Sequence, residues 1–242
     1  MRLSRGRVAC SAGKAIRSWR AHSRTVNLRQ LPAWRRLPEL LLPGLCLLCQ
    51  ASQGPVPNLC AECARELPYA PRRPGRRLVA LAYEPPVSTL IHWMKFEANL
   101  PAALTLGELL ASSVVRALAR ADAVLPDAIV PVPLHPSRLR ERGFNQALEL
   151  ARPLARRLDR PLLGRACRRR RATRAQSGLS SPTDRRRNVA GAFCVGAPLA
   201  GLARVAIVDD VITTGATVDE LARTLRGAGV RQVYAWACAG RS

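Results

Sequence analysis

Two groups of residues in this chain have the types and spacing to do chemistry. One is Asp209-Asp210 with the Val211, Thr213-Thr214-Gly215-Ala216-Thr217 run that follows it; the other is Cys46, Cys49, Cys60 and Cys63. Adjacent carboxylates accept hydrogen bonds from a diol or hold a hydrated Mg2+, and they repel a bare phosphate. The hydroxyl-rich run adds donors, and Gly215 lets the backbone approach a ligand closely. If that run leads into a helix, its N–H groups converge on one spot and seat a phosphate. A ligand with a ribose diol one step from a phosphate would satisfy both halves.

The cysteines form two Cys-x-x-Cys pairs separated by ten residues. Four thiolates so placed meet the tetrahedral needs of structural Zn2+ and leave no open position for catalysis. An Fe–S cluster and a redox Cys-x-x-Cys are weaker alternatives. The gap holds Gly54, Pro55, Pro57 and Asn58, so it reads as a loop that brings the pairs together. Such a short segment has almost no core, and metal binding would supply its folding energy. A scaffold or docking role is favoured for it over a chemical one. Cys10, Cys167, Cys194 and Cys238 are unpaired by spacing and read as small buried or incidental thiols.

These groups need elements to position them. Val205-Ala-Ile-Val208 is apolar without polar alternation, as a strand buried on both faces requires. From Thr217 the apolar residues take helical spacing, with Val218, Leu221, Ala222 and Leu225 on one stripe. Further strands are expected at Leu78–Tyr83, Ala128–Leu134 and Gln232–Ala237, and helices at Val87–Phe96, Ala102–Leu118 and Gln146–Leu158. This alternation predicts an α/β fold with a mostly parallel sheet covered on both faces. Asp209 and Asp210 then fall at the carboxyl end of a strand, where open α/β sheets bind ligands.

Four segments read as irregular. Residues 1–30 are arginine-rich, hold no Asp or Glu and show little periodicity. They read as a basic, disordered extension. A translated upstream region is favoured over a nucleic-acid tail or an Arg- and Ser-rich targeting peptide. Residues 31–70 form a unit of a short helix (Pro32–Leu42) and the cysteine knuckle, and 71–77 a Pro- and Arg-rich linker. The main domain is 78–242. Within it, His135–Asn145 is a polar, cationic stretch after a strand. Arg165–Phe193 is a long basic segment without periodicity, which at that length is functional or disordered.

The length of 242 residues suits one medium α/β domain plus a small unit, and 48% hydrophobic residues are ample for a core. Net charge is +23, almost all from arginine, since Lys14 and Lys95 are the only lysines. That sign predicts attraction to polyanions at low salt. With no 18-residue apolar run, no transmembrane helix is expected, and the cysteine pattern fits a reducing, cytoplasmic setting. Trp19, Trp34 and Trp93 read as core or interface anchors before stacking surfaces, His92 as a packing or surface residue, and His135 as a strand-end residue beside the cationic stretch.

The segment from Val205 to Leu221 resembles the PRPP-binding motif of type I phosphoribosyltransferases. The chain from about 31 to 240 resembles the ComF family (ComF/GntX-like proteins). The residues that carry this are the double Cys-x-x-Cys, Lys95-Phe96, Pro131-Val-Pro-Leu-His135, Arg142-Gly-Phe-Asn-Gln146, Thr173 with Gln176, Arg185 with Asn188, Gly191-Ala-Phe193 and the Asp-Asp loop. The resemblance implies a type I phosphoribosyltransferase fold behind a four-cysteine zinc knuckle. Asp209 and Asp210 would hold the ribose hydroxyls of 5-phosphoribosyl-1-pyrophosphate (PRPP), and Val211 and Thr213–Thr217 its 5-phosphate. The stretch after Val132 would be the pyrophosphate loop, and Arg165–Asn188 a mobile closing loop. Arg142, Arg174 and Arg185, with Mg2+, would stabilise the departing pyrophosphate.

Two functions follow as expectations. In the first, the protein is a phosphoribosyltransferase (a pentosyl-group glycosyltransferase) acting on an unknown acceptor, with a role in competence and DNA uptake. In the second, it is a non-catalytic single-stranded-DNA-binding accessory protein of natural transformation that uses this fold as a scaffold.

Overall fold

The computed structural model describes residues 44–71, 75–121, 123–173, 181–197 and 199–241. The basic segment up to Gln30, the helix expected at Pro32–Leu42, Cys10, Trp19, Trp34, Arg174 and Gln176 lie outside the described residues. From Leu45 onward the chain forms one unit.

Its centre is a four-stranded parallel sheet in the order β1-β6-β5-β2, built from β1 (Arg77–Ala82), β6 (Gln232–Gly240), β5 (Arg204–Ile212) and β2 (Ala128–Pro131). Alternate residues of the central strands β5 and β6, over Val205–Val208 and Val233–Cys238, enter two separate cores. Ala206 and Val208 of β5 join Tyr234, Trp236 and Cys238 of β6 on one face. Val205 and Ile207 join Val233, Ala235 and Ala237 on the other. Both faces are apolar because both are covered, which is why the strands show no polar alternation. The expected α/β architecture with a mostly parallel sheet is therefore the one observed.

Seven helices appear among the described residues: α1 (Ala61–Arg65), α2 (Val87–Phe96), α3 (Leu100–Ala121), α4 (Pro136–Arg142), α5 (Gln146–Leu158), α6 (Pro182–Val189) and α7 (Ala216–Gly227). Helices α3 and α5 pack closely, and Gly107 makes this possible: a Cβ there would lie 3.0 Å from Cγ of Pro153 and 3.2 Å from the Leu150 carbonyl. Helix α3 is long and apolar enough to cross a membrane by length and composition alone, although Glu108, Arg116 and Arg120 interrupt it. Its apolar stripe, including Leu106, Leu110 and Val114, is instead buried in the core. Its Glu108 pairs with Arg156 and Arg157 of α5. It is a core helix.

Two segments expected to be irregular contain structure. His135–Asn145 holds α4, with His135 accepting from the Ser137 N–H, Pro136 in the first turn and Gly143 left-handed at the C-cap (φ +78°). These are ordinary helix start and stop signals in a segment too short to show periodicity. The basic stretch before Phe193 holds β3 (Cys167–Arg169), paired antiparallel with β4 (Phe193–Val195), and α6, whose Ser181 accepts from the Asp184 N–H. The Gly191 N–H donates to the buried Glu220 carboxylate at 2.8 Å, which ties this arm to α7.

Candidate functional site

Strand β5 runs past Val208, where the apolar run ends, to Ile212, so Asp209 and Asp210 are strand residues near its carboxyl end. The loop then turns through Gly215, which is left-handed (φ +79°), into α7. A side chain at Gly215 would adopt a strained conformation and meet the Arg77 guanidinium at 2.8 Å. No side chain caps α7 among the described residues. Its first N–H groups, which no helix can satisfy internally, are therefore left facing outward beside Thr213, Thr214 and Thr217.

Asp209, Asp210 and the loop from Val211 to Thr217 line one cavity of about 560 Å3. The acid pair and the Thr-Gly loop form one wall. Arg142 and Arg185, both singled out by sequence, line the same cavity, joined by Arg138, Arg169 and Arg241. The cavity thus brings two carboxylates, a run of hydroxyls and several guanidinium groups into one space. His135 caps α4 and is not among the lining residues. A more open cavity of about 510 Å3, beside Asp127 and Arg204, sits at the amino ends of β2 and β5, away from the acid pair.

The two carboxylates have different partners. Lys95, on the last turn of α2, forms an ion pair with Asp210; its side chain is 21% exposed and that of Asp210 16%. Burial works against the Asp210 charge, but the Lys95 ammonium outweighs it and holds this carboxyl below its usual range. Lys95 is likewise kept charged: burial opposes the ammonium, and the Asp210 carboxylate overrides that. Asp209 is held well above the usual carboxylate range, first by burial and then by repulsion from Asp210. Its Oδ1 accepts the Asp210 N–H at 2.9 Å, and Asp210 Oδ1 accepts the Val211 N–H at 2.7 Å. The two acids are thus pushed apart, Asp210 toward the ionised form and Asp209 toward the protonated one.

Sequence reasoning placed Lys95 on a helix face without giving it this partner. Its signal was compositional: in a chain that uses arginine almost throughout, a lysine stands where a compact ammonium must fit between buried carboxylates. Arg169 was also missed. Burial and then the nearby Arg138 lower its pKa. Its guanidinium donates to the Thr173 hydroxyl and lies 5.4 Å from the Phe193 ring centroid. Cys167 is a structural thiol, pushed up to about 12 by burial.

The four knuckle cysteines come together, with their Sγ atoms all within 4.8 Å of one another. Tetrahedral Zn–S bonds of about 2.3 Å imply S···S edges of about 3.8 Å. The Cys49–Cys60 separation is 3.6 Å. Cys46 is fully buried, which disfavours its thiolate, but the Cys60, Cys49 and Leu48 backbone amides bring it down to about 6. The donor set and its spacing fit a tetrahedral thiophilic metal. The knuckle also shares a core: Cys46, Leu59 and Cys60 pack in the same cluster as α2 and α3. Buried Thr105 of α3 donates to the Pro57 carbonyl at 2.8 Å and accepts from Asn58.

Comparison with known proteins follows the same lines. Competence protein F of Haemophilus influenzae is 38% identical over 208 residues, covering 81% of this chain and 90% of that protein. DNA utilization protein YhgH of Escherichia coli K12 is 38% identical over 203 residues, covering 80% and 88%. Its counterpart in Salmonella typhimurium is 37% identical over 222 residues, covering 81% and 97%. No family model matches. Among solved structures, orotate phosphoribosyltransferase from Aeropyrum pernix overlaps at a TM-score of 0.34 with 22% identity, covering 60% of this chain and 75% of that one. The allosteric regulatory enzyme of purine biosynthesis gives a TM-score of 0.31 with 22% identity, covering 55% and 24%.

Proposed function

The chain belongs to the ComF family, and we propose that it binds PRPP, or a closely similar phosphoribosyl ligand, together with Mg2+ in the β5–α7 cavity. The observation that carries this reading is the convergence of the acid pair, the uncapped helix start and three or more arginines on one cavity. The ribose hydroxyls would engage Asp209 and Asp210. The 5-phosphate would take the amides of Gly215–Thr217 and the Thr213, Thr214 and Thr217 hydroxyls. Arg142 and Arg185, and Arg174 by sequence, would face the pyrophosphate.

Phosphoribosyl transfer breaks the bond from the anomeric carbon to pyrophosphate, building positive charge on the sugar and negative charge on the leaving group. Catalysis of this kind is electrostatic and positional. Asp210, kept ionised by Lys95, would stabilise the cationic sugar, while the arginines hold the departing oxyanions. Bound Mg2+ would neutralise pyrophosphate charge. A segment that covers the cavity, as the Arg165–Asn188 arm does in this reading, would exclude water. The cysteine knuckle would hold structural Zn2+, and the protein would act in the cytoplasm.

Relatives named for competence and DNA utilization support a role in the uptake or use of DNA. They equally favour a second reading, in which the cationic cavity wall binds single-stranded DNA without transfer. Calorimetric titration separates the two. The first reading expects Mg2+-dependent heat with PRPP that Asp209→Ala/Asp210→Ala abolishes. No heat from the wild-type protein would sink it. The second expects single-strand affinity to fall with salt at a log–log slope of about −0.7 per phosphate contact. A flat salt response would remove its basis.

A further inference from the structure

Helix α2 buries Val87, Leu90, Ile91 and Met94, yet its last residue, Phe96, is 64% exposed. Phe96 follows Lys95, the partner of Asp210, and lines the same cavity as the acid pair. The Arg142 guanidinium lies over the Phe96 ring, 5.3 Å from its centroid, so a cation–π pair stands at the cavity. Arg142 also donates to Oε1 of Gln146 at 3.4 Å. Gln146 is 2% exposed and lines the cavity, and its Nε2 has no hydrogen-bond partner among the described residues. A buried amide donor left without a partner is costly, which marks a place where a ligand supplies the acceptor.

We propose that Phe96, Arg142 and Gln146 form a subsite for a planar nucleobase, stacked on Phe96 and Arg142 and read at one edge by the Gln146 amide. Bases are bound in this way, by stacking on aromatic rings and arginine planes with hydrogen bonds to their edges. In the context of the PRPP reading, on which this naming of the acceptor rests, the base lies beside the carbon that receives it. The base reaches the subsite either free or as part of a single strand.

The test is calorimetry of the full chain with adenine, with cytosine, with a short single-stranded oligonucleotide and with an abasic oligonucleotide of equal length. The wild-type protein is expected to bind a free base, or to prefer the base-bearing strand over the abasic one. The arm that responds identifies the source. Phe96→Leu, which keeps apolar bulk but loses the ring, should weaken that binding by about 5- to 150-fold. Phe96→Trp should retain it, and Gln146→Ala should reduce discrimination between bases. The thermal midpoint of Phe96→Leu should stay at the wild-type value, since Phe96 is 64% exposed. Wild-type binding that ignores the presence of bases, or equal affinities in the wild type and Phe96→Leu, overturns the subsite. Absence of PRPP binding with base binding still dependent on Phe96 would overturn only the phosphoribosyl reading.

Discussion

Replacing Lys95 by Met removes the cation that faces Asp210 and leaves two adjacent carboxylates with little solvent. Breaking a fully buried ion pair from one side costs about 3–5 kcal/mol. Here both side chains keep some exposure, 21% and 16%, which places the cost at the lower end, about 3 kcal/mol. The orphaned acid can also escape by taking a proton. From an ordinary carboxyl value of 3.8, that escape limits the loss to about 4 kcal/mol at pH 7 and about 1.6 kcal/mol at pH 5. The sign follows from linkage. In the wild type, Asp210 has a depressed pKa, so its contribution is present above 3.8 and is lost as pH falls through its folded value. In the variant its pKa rises instead, so the deficit grows with pH. For a domain of this size, about 3 kcal/mol corresponds to a fall in Tm of about 6–12 °C at pH 7. Thermal melts of both proteins at pH 7 and pH 5 provide the assay. A variant as stable as the wild type at pH 7, or a deficit that does not shrink at pH 5, would refute the reasoning.

Other perturbations read different parts of the molecule. Because the Asp209 pKa is raised in the fold, its contribution to stability falls as pH climbs above 3.8. Asp209→Asn should therefore stabilise the ligand-free protein at pH 7 by about 0.5–2 kcal/mol, with the gain vanishing below pH 4, and should weaken PRPP binding. Chemical denaturation across pH checks both directions. Freshly purified protein should carry one zinc per chain by metal analysis. Chelation or Cys60→Ser should lower the Tm of the whole domain in a single transition, because Cys46, Leu59 and Cys60 belong to the same core as α3. An unchanged Tm on metal removal would detach the knuckle from the stability of the fold.

Much of this was legible in the sequence because the signals were local. The buried strand β5, the stripe of α7 and helices α2 and α5 announce themselves by periodicity, and the two Cys-x-x-Cys pairs by spacing. Helices α4 and α6 were not read, since each spans only two turns of mostly charged residues and their caps, His135-Pro136 and Ser181-Pro182, were the only cues. The acid pair was visible, but its asymmetry was not. That depends on Lys95, more than a hundred residues away, and sequence spacing cannot report an ion pair between the last turn of α2 and the end of β5. The orphaned Gln146 amide is likewise a property of the folded cavity alone.

In the proposed function one cavity would grip both ends of a phosphoribosyl pyrophosphate, with the acid pair and threonine loop on the sugar phosphate and the arginines on the pyrophosphate. This is tested most directly by calorimetry of the wild-type protein with ribose 5-phosphate, pyrophosphate and PRPP in Mg2+ buffer. PRPP should bind more tightly than either half, with Asp209→Ala/Asp210→Ala removing ribose 5-phosphate binding and leaving pyrophosphate binding in place. Pyrophosphate binding as tightly as PRPP, with no detectable heat from ribose 5-phosphate, would contradict the account.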